Sequence, residues 1–344
     1  MLDRSRIPAV QLFCLLGLAL FVNGPIYIPT ATSMIAGRDA VFAPWVMLAG
    51  GVPVLALYAA LQRRHPHTDL LTISRSACGR VVGTTAFAVL LLWWTYLGAL
   101  TLRQMTEVFL LILPATPPVA ILTPLLLVSA YAVRGGVEVI GRAAVVLMAV
   151  AGALFNSILL MAVPVMAWER LFPLLERGPG RVLMGGMVPL GALTIFATGL
   201  VLAPALNEPR QFGRVLAVLL AMATFIGLQV EYALVFVFGE SVARLNFPLL
   251  SLAREAQVGE FLTNLDALFM VGFSGGGFIQ VALLHYVTAL GYARLLGLAD
   301  HRPVSLPLAL LLGELSLFIF SDLTELLDFF ASTFALAAIA FHVG

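Results

Sequence analysis

Long apolar runs separated by short polar connections fill the chain from end to end. A helical crossing of hydrocarbon needs about 20 apolar residues. On that scale the runs divide into ten candidate spans, at roughly 7 to 28, 41 to 61, 84 to 113, 119 to 133, 143 to 165, 186 to 206, 215 to 238, 264 to 295, 304 to 320 and 323 to 343. Closed strands are excluded, because a barrel strand alternates lipid-facing with lumen-facing residues and these runs do not alternate. The first apolar stretch outlasts the h-region of a signal peptide and more spans follow it, so it reads as a retained helix. The pattern predicts an all-α integral membrane protein.

An even number of spans invites a division into two halves of five. The long polar stretch Gln62 to Val82 follows span two, and Phe238 to Thr263 follows span seven, its counterpart in a second half of opposite orientation. Span eight is overlong, as is span three, and about 32 residues at 1.5 Å each give roughly 48 Å, so it must tilt or project. Two inverted five-helix repeats, 1–165 and 186–344 within one transmembrane domain, are the architecture of many secondary transporters, whose site lies where helices one and six are interrupted.

Composition supports this picture: 61% of the 344 residues are hydrophobic and 11% charged. All 19 basic residues are Arg, against 18 Asp plus Glu. No basic stretch exists to neutralise phosphates, which excludes nucleic acid as a partner. Without Lys there is no Walker A loop, Schiff base or lysine proton switch, and two Cys build neither a disulfide framework nor a metal site. No Ser/His/Asp triad or paired-carboxylate site assembles, so no enzyme, cofactor or metal is expected. With the N-terminus inside, Arg4, Arg6, Arg63, Arg64, Arg75, Arg80, Arg134, Arg142, Arg210, Arg214, Arg294 and Arg302 fall on the inner face. Arg38, Arg170, Arg177, Arg181, Arg244 and Arg254 fall outside. Twelve against six obeys the positive-inside rule and predicts two cytoplasmic termini.

Three spans carry helix-breaking chemistry. Span one contains Val22-Asn23-Gly24-Pro25, and Pro25 cannot donate the hydrogen bond a continuous helix requires. Such a break frees backbone groups for a ligand, though a kink that only serves packing has the same sequence. Span six offers Pro189, Gly191, Thr194, Thr198, Gly199 and Pro204, with the two Thr on one face. They suit a ligand lining, or equally a close helix contact. In span eight, Ser274-Gly275-Gly276-Gly277 weakens the helix. Close approach of a neighbour explains it, with ligand contact through Ser274 as the other reading, and Gln280 and His285 read as packed polar groups.

Charges inside the membrane are costly and default to functional hypotheses. Arg103 and Glu107 stand at i, i+4 and can pair on one face of span three, as a structural pair near the outer vestibule or as a gate. Glu231 and Glu314 have no basic neighbour in sequence, so either could carry a coupled proton or bond a neighbouring helix. Asp322, Glu325 and Asp328 read as a solvated acidic rim. In the polar stretch after span two, His65 and His67 lack further metal ligands. Asp69 to Gly79, with Leu70, Leu71 and Ile73, reads as an amphipathic helix on the inner membrane surface.

In order along nearly the whole chain, several stretches resemble the B-subunit family of bacterial spore germination receptors, permease-like proteins of the amino acid–polyamine–organocation superfamily. They are Leu102-Arg103-Gln104-Met105-Thr106-Glu107 running into Leu113-Pro114-Ala115-Thr116-Pro117, then Tyr131 to Arg142, Phe172-Pro173-Leu174-Leu175, Leu206-Asn207-Glu208-Pro209, Phe247-Pro248 through Arg254, and Leu265-Asp266-Ala267-Leu268. The resemblance implies a LeuT-like fold in a spore inner membrane. It also implies a subunit that senses a small germinant such as an amino acid, with A-type and lipoprotein C-type subunits as partners. It places the ligand at Val22, Asn23 and Gly24 in span one, Tyr96 and Leu100 in span three, and Thr194, Ala197 and Thr198 in span six, with span eight adjoining. Many members carry Gly followed by an acidic residue in span six, where this chain has Thr194-Ile195. The alternative function is a secondary transporter of amino acids or organic cations, coupled to protons or Na⁺.

Overall fold

A computed structural model describes residues 6–21, 27–256 and 265–343. Helices account for nearly all of the described residues, with no strand beyond a single bridge. In chain order they are α1 (Ala9–Phe21), α2 (Ile28–Ala36), α3 (Ala43–Arg64), α4 (Leu70–Cys78), α5 (Arg80–Ile112), α6 (Pro118–Gly135), α7 (Val137–Ala162), α8 (Pro179–Ala192), α9 (Thr198–Leu202), α10 (Phe212–Phe238), α11 (Pro248–Glu255), α12 (Leu265–Leu295), α13 (Arg302–Phe318), α14 (Leu323–Ser332) and α15 (Phe334–Val343).

Seven helical runs among the described residues are long and apolar enough to cross a membrane, and the bent pair α13 and α14 would make an eighth. They correspond to the second to eighth of the expected spans. The ninth corresponds to α13, and the first, expected to be interrupted, begins with α1; the tenth departs from the single long helix that hydropathy suggested. α1 is only 13 residues long. α13 has 17, and α14 turns away from it by 96°. The tenth apolar run is cut into α14 and α15 at Thr333.

α12 is the centre of the bundle, packing on α7, α5, α1, α6 and α13. Its glycines explain how. A Cβ on Gly277 would lie 2.7 Å from Met105 Sδ of α5, and one on Gly291 would lie 2.2 Å from Leu91. The Ser274–Gly277 run therefore serves close helix approach. At one end of the bundle the short helix α4 lies along α5. The Asp69 carboxylate accepts the Thr72 N–H at 3.0 Å to cap it, and Leu70, Leu71 and Ile73 are buried, as the amphipathic pattern required.

The first and sixth spans are fastened to each other. Ile7, just before α1, pairs in parallel with Leu206, which follows the sixth span; the Ile7 N–H donates to Ala205 O at 2.9 Å and the Asn207 N–H to Ile7 O at 3.0 Å. At the opposite end, the 3₁₀ turn Gly37–Phe42 between α2 and α3 holds the loop before α8. Arg38 pairs with Glu240 at 3.2 Å and Glu176 at 3.6 Å and donates to the Phe172 carbonyl. Asp39, 1% exposed, accepts the backbone N–H of Leu175 at 2.7 Å and of Arg177 at 3.4 Å. Asp39→Ala orphans both donors and should cost about 2 kcal/mol, read as a lower melting temperature of the purified protein; an unchanged melt would show that the clasp is dispensable.

Candidate ligand-binding site

The sixth span is one helical run, Pro179–Ala205, whose backbone tightens in the stretch that its sequence weakens. Pro189 inside α8 has no N–H to donate to the Gly185 carbonyl. Beyond Ala192 the backbone tightens into a 3₁₀ turn over Leu193–Ala197, then α9, then a second 3₁₀ turn over Ala203–Ala205 containing Pro204. Thr194 and Thr198 are buried, and their hydroxyls donate back to Gly191 O and Ile195 O, each at 2.6 Å. Their oxygens keep acceptor capacity. Ala197 lies buried between them. Close packing frames the tightened stretch: a Cβ on Gly191 would meet Ala335 Cα of α15 at 2.9 Å, and one on Gly199 would meet Leu16 of α1 at 3.1 Å.

Val22, Asn23 and Gly24, where a break in span one was expected, lie outside the described residues. On α5, Leu100 is buried and Tyr96 half-buried. The Tyr96 ring stacks on Trp93 at 5.6 Å and meets Phe329 of α14 edge-on at 5.8 Å, while Trp93 stacks on Phe341 of α15 at 4.7 Å. The last two helices thus stand against both α5 and α8, a contribution that sequence reasoning missed. The row Phe329, Phe330, Phe334 and Phe341 was its only trace. Ser274 is half-buried on α12, and its neighbour Gly275 faces Leu147 of α7 rather than the sixth span.

Arg103 and Glu107 form the expected pair, Nη2 to Oε1 at 2.7 Å, with side chains 13% and 16% exposed. Glu107 also lines a cavity of about 460 Å³ with Arg244, Asn246 and Ser251. Tyr27 stands nearby: its phenol donates to the Gln104 carbonyl at 3.2 Å, and its ring stacks on Phe330 at 5.7 Å and meets Phe247 at 5.8 Å. Charge reversal of Arg103→Glu together with Glu107→Arg should restore the folded yield that either single reversal loses. A folded but unresponsive double variant would instead assign the pair to gating.

Of the two isolated acids, Glu231 is buried on α10, whereas Glu314 is exposed on α13. Asp322, Glu325 and Asp328 are exposed, as a solvated rim requires, and the first two also cap α14. Asp322 Oδ1 accepts the Glu325 N–H at 2.9 Å and Glu325 Oε2 the Ser321 N–H at 2.8 Å. His285 is held by Ser129 and the Ser305 carbonyl, both at 2.8 Å, which uses both ring nitrogens in packing.

Residues 6–324 match the spore germination protein family of permeases. The chain belongs to that family. Spore germination protein KB of Bacillus subtilis strain 168 is 29% identical over 337 residues, spanning 95% of this chain and 88% of the relative. The fold extends well beyond germination proteins. MhsT, solved with L-phenylalanine, superimposes with a TM-score of 0.72 at 15% identity over 98% of this chain and 89% of its own. A Na⁺-coupled sialic acid symporter does so with 0.70 at 12% over 98% and 78%. These likenesses establish a LeuT-type all-α fold for the family member described here.

Proposed function

We propose that this protein is the membrane subunit of a spore nutrient germinant receptor and binds a small germinant, an amino acid by class, between the first and sixth spans. The observation that carries this reading is the family match over residues 6–324. In this reading Val22, Asn23, Gly24, Tyr96, Leu100, Thr194, Ala197, Thr198 and Ser274 line the pocket. Residues 1–165 and 186–344 form two inverted repeats around it. In this reading both termini lie on the cytoplasmic side of the spore inner membrane, an orientation that the Arg distribution supports. The role is recognition without catalysis: the ligand acts by favouring one of two conformations, which requires different affinities for the two. A soluble A-type and a lipoprotein C-type subunit complete the receptor.

Thr198→Leu keeps the span apolar while filling the turn between α8 and α9. Spores carrying it should make the protein at normal levels and lose at least tenfold in germinant sensitivity. An unchanged dose response would remove the sixth span from the pocket. A second reading, an ion-coupled amino-acid transporter, draws support from the fold shared with MhsT and from the buried carboxylate of Glu231. Liposomes containing the protein decide between the two: accumulation of labelled amino acid down an imposed ion gradient establishes transport, and its absence with binding retained leaves a receptor.

A further inference from the structure

The end of the bundle where α4 lies along α5 carries two positive charges that pair with no described carboxylate. No Asp or Glu occurs in the chain between Asp69 and Glu107, whereas Arg75 and Arg80 fall in that stretch. Arg75 spends its Nε on Thr84 Oγ1 at 2.9 Å, and the same hydroxyl donates to Arg80 O at 2.5 Å. The Arg75 guanidinium is thereby held against the first turn of α5, where Arg80 is exposed. The terminal nitrogens of both Arg side chains bond nothing among the described residues. α5 starts after Gly79 without a side-chain cap, so its first N–H groups add to the positive end.

Next to these charges lies an apolar groove of about 370 Å³, walled by Leu70 and Ser74 of α4, Phe87 and Leu90 of α5 and Phe341 of α15. Thr84 precedes Phe87 by one turn, so the Arg75 guanidinium stands at one mouth of the groove. Ala86 and Val89 form its open edge and are exposed. Val82 and Leu92, 61% and 62% exposed, continue that face along α5. In a multi-pass membrane protein such a face meets hydrocarbon, so the groove fills from the bilayer.

Position and charge together decide the occupant. The groove accepts on the order of ten methylene-sized groups, a stretch of one acyl chain. A phosphate at the mouth takes charge-assisted hydrogen bonds from Arg75 and Arg80. A zwitterionic lipid brings a cation of its own to the two Arg, and a free phosphate ester leaves the groove unfilled. An anionic lipid satisfies both features, as in other basic pockets beside membrane spans. We propose that this is a binding site for one anionic glycerophospholipid, with its headgroup on Arg75 and Arg80 and an acyl chain between α4, α5 and α15. The site holds whether or not the protein binds a germinant.

Native mass spectrometry of the purified protein in non-ionic detergent tests this, with titrations of dioleoylphosphatidylglycerol, dioleoylphosphatidylcholine and sn-glycerol 3-phosphate. Phosphatidylglycerol should be retained about fivefold or more tightly over phosphatidylcholine, and glycerol 3-phosphate should not displace it. Arg80→Gln should weaken phosphatidylglycerol about fivefold, the worth of one Arg beside an anionic lipid, and leave phosphatidylcholine unchanged. Ala86→Trp, which fills the groove from its exposed edge and keeps both Arg, should lose as much at an unchanged melting temperature. If that variant melts lower, Arg80→Gln decides, since its exposed side chain holds nothing in the fold. Arg181→Gln, exposed on α8, should change nothing. Equal retention of the two lipids, displacement by glycerol 3-phosphate, or full affinity in Arg80→Gln would overturn the proposal. So would full affinity in a stably folded Ala86→Trp, or an equal loss in Arg181→Gln.

Discussion

A single methyl group on Gly83 should dislodge α4 from the end of the bundle. A Cβ there would lie 2.3 Å from Ser74 O, 2.4 Å from Ser74 C and 2.6 Å from Arg75 N. All three are backbone atoms of α4, and no side-chain rotation relieves them. The helix is otherwise held by the burial of Leu70, Leu71 and Ile73 and by a 2.9 Å bond from Arg75 Nε to Thr84 Oγ1. Overpacking against rigid backbone costs typically 1–3 kcal/mol and at times more, and Gly83→Ala belongs at the upper end, about 3 kcal/mol. Amide exchange across residues 70–78 measures it, with faster exchange expected throughout α4. Gly152→Ala is the control, since nothing lies within 4 Å of its Cβ position. Unchanged protection in Gly83→Ala would mean that α4 and α5 approach less closely.

Features of the fold that depend on local chemistry were legible in the sequence. Asp69 ahead of Leu70, Leu71 and Ile73 marks a capped amphipathic helix, and Pro189 with Pro204 brackets the stretch where the sixth span tightens into 3₁₀ turns. Asp322 and Glu325 read as a solvated rim, which their exposure bears out, and their capping spacing is equally visible. What hydropathy cannot encode is where a continuous apolar run bends. Leu326 to Phe341 contains no proline or glycine, yet the chain divides at Thr333, where Phe330 and Phe334 meet at 4.8 Å and Phe329 turns to Tyr96. The candidate site divides in the same way. Thr194 and Thr198 announce themselves by type and spacing, and Glu231 as a lone acid. That Met47 and Ile28 share a cavity with Glu231 is set by how α3 and α2 pack on α10.

Removing the imidazole of His285 is expected to destabilise the bundle as a whole rather than its ligand site. His285, Ser129 and Ser305 are each 0% exposed. A carbonyl only accepts, so Nε2 donates to Ser305 O, and in the neutral ring Nδ1 is then the acceptor for the Ser129 hydroxyl. One side chain on α12 therefore bridges α6 and α13. His301 adds a second tie, to the Val133 carbonyl at 3.0 Å, with Tyr286 of α12 edge-on at 5.4 Å. His285→Leu strands the Ser129 hydroxyl and replaces a bonded ring with a side chain of different shape, for a loss of about 2–4 kcal/mol. Adding Ser129→Ala removes the stranded group and should return about 1 kcal/mol, a coupling that a double-mutant cycle reads directly. The melting temperature should fall while the folded fraction keeps its ligand affinity, because the bridge holds helices rather than ligand. Lost affinity at an unchanged melting temperature would move His285 from the scaffold into the site.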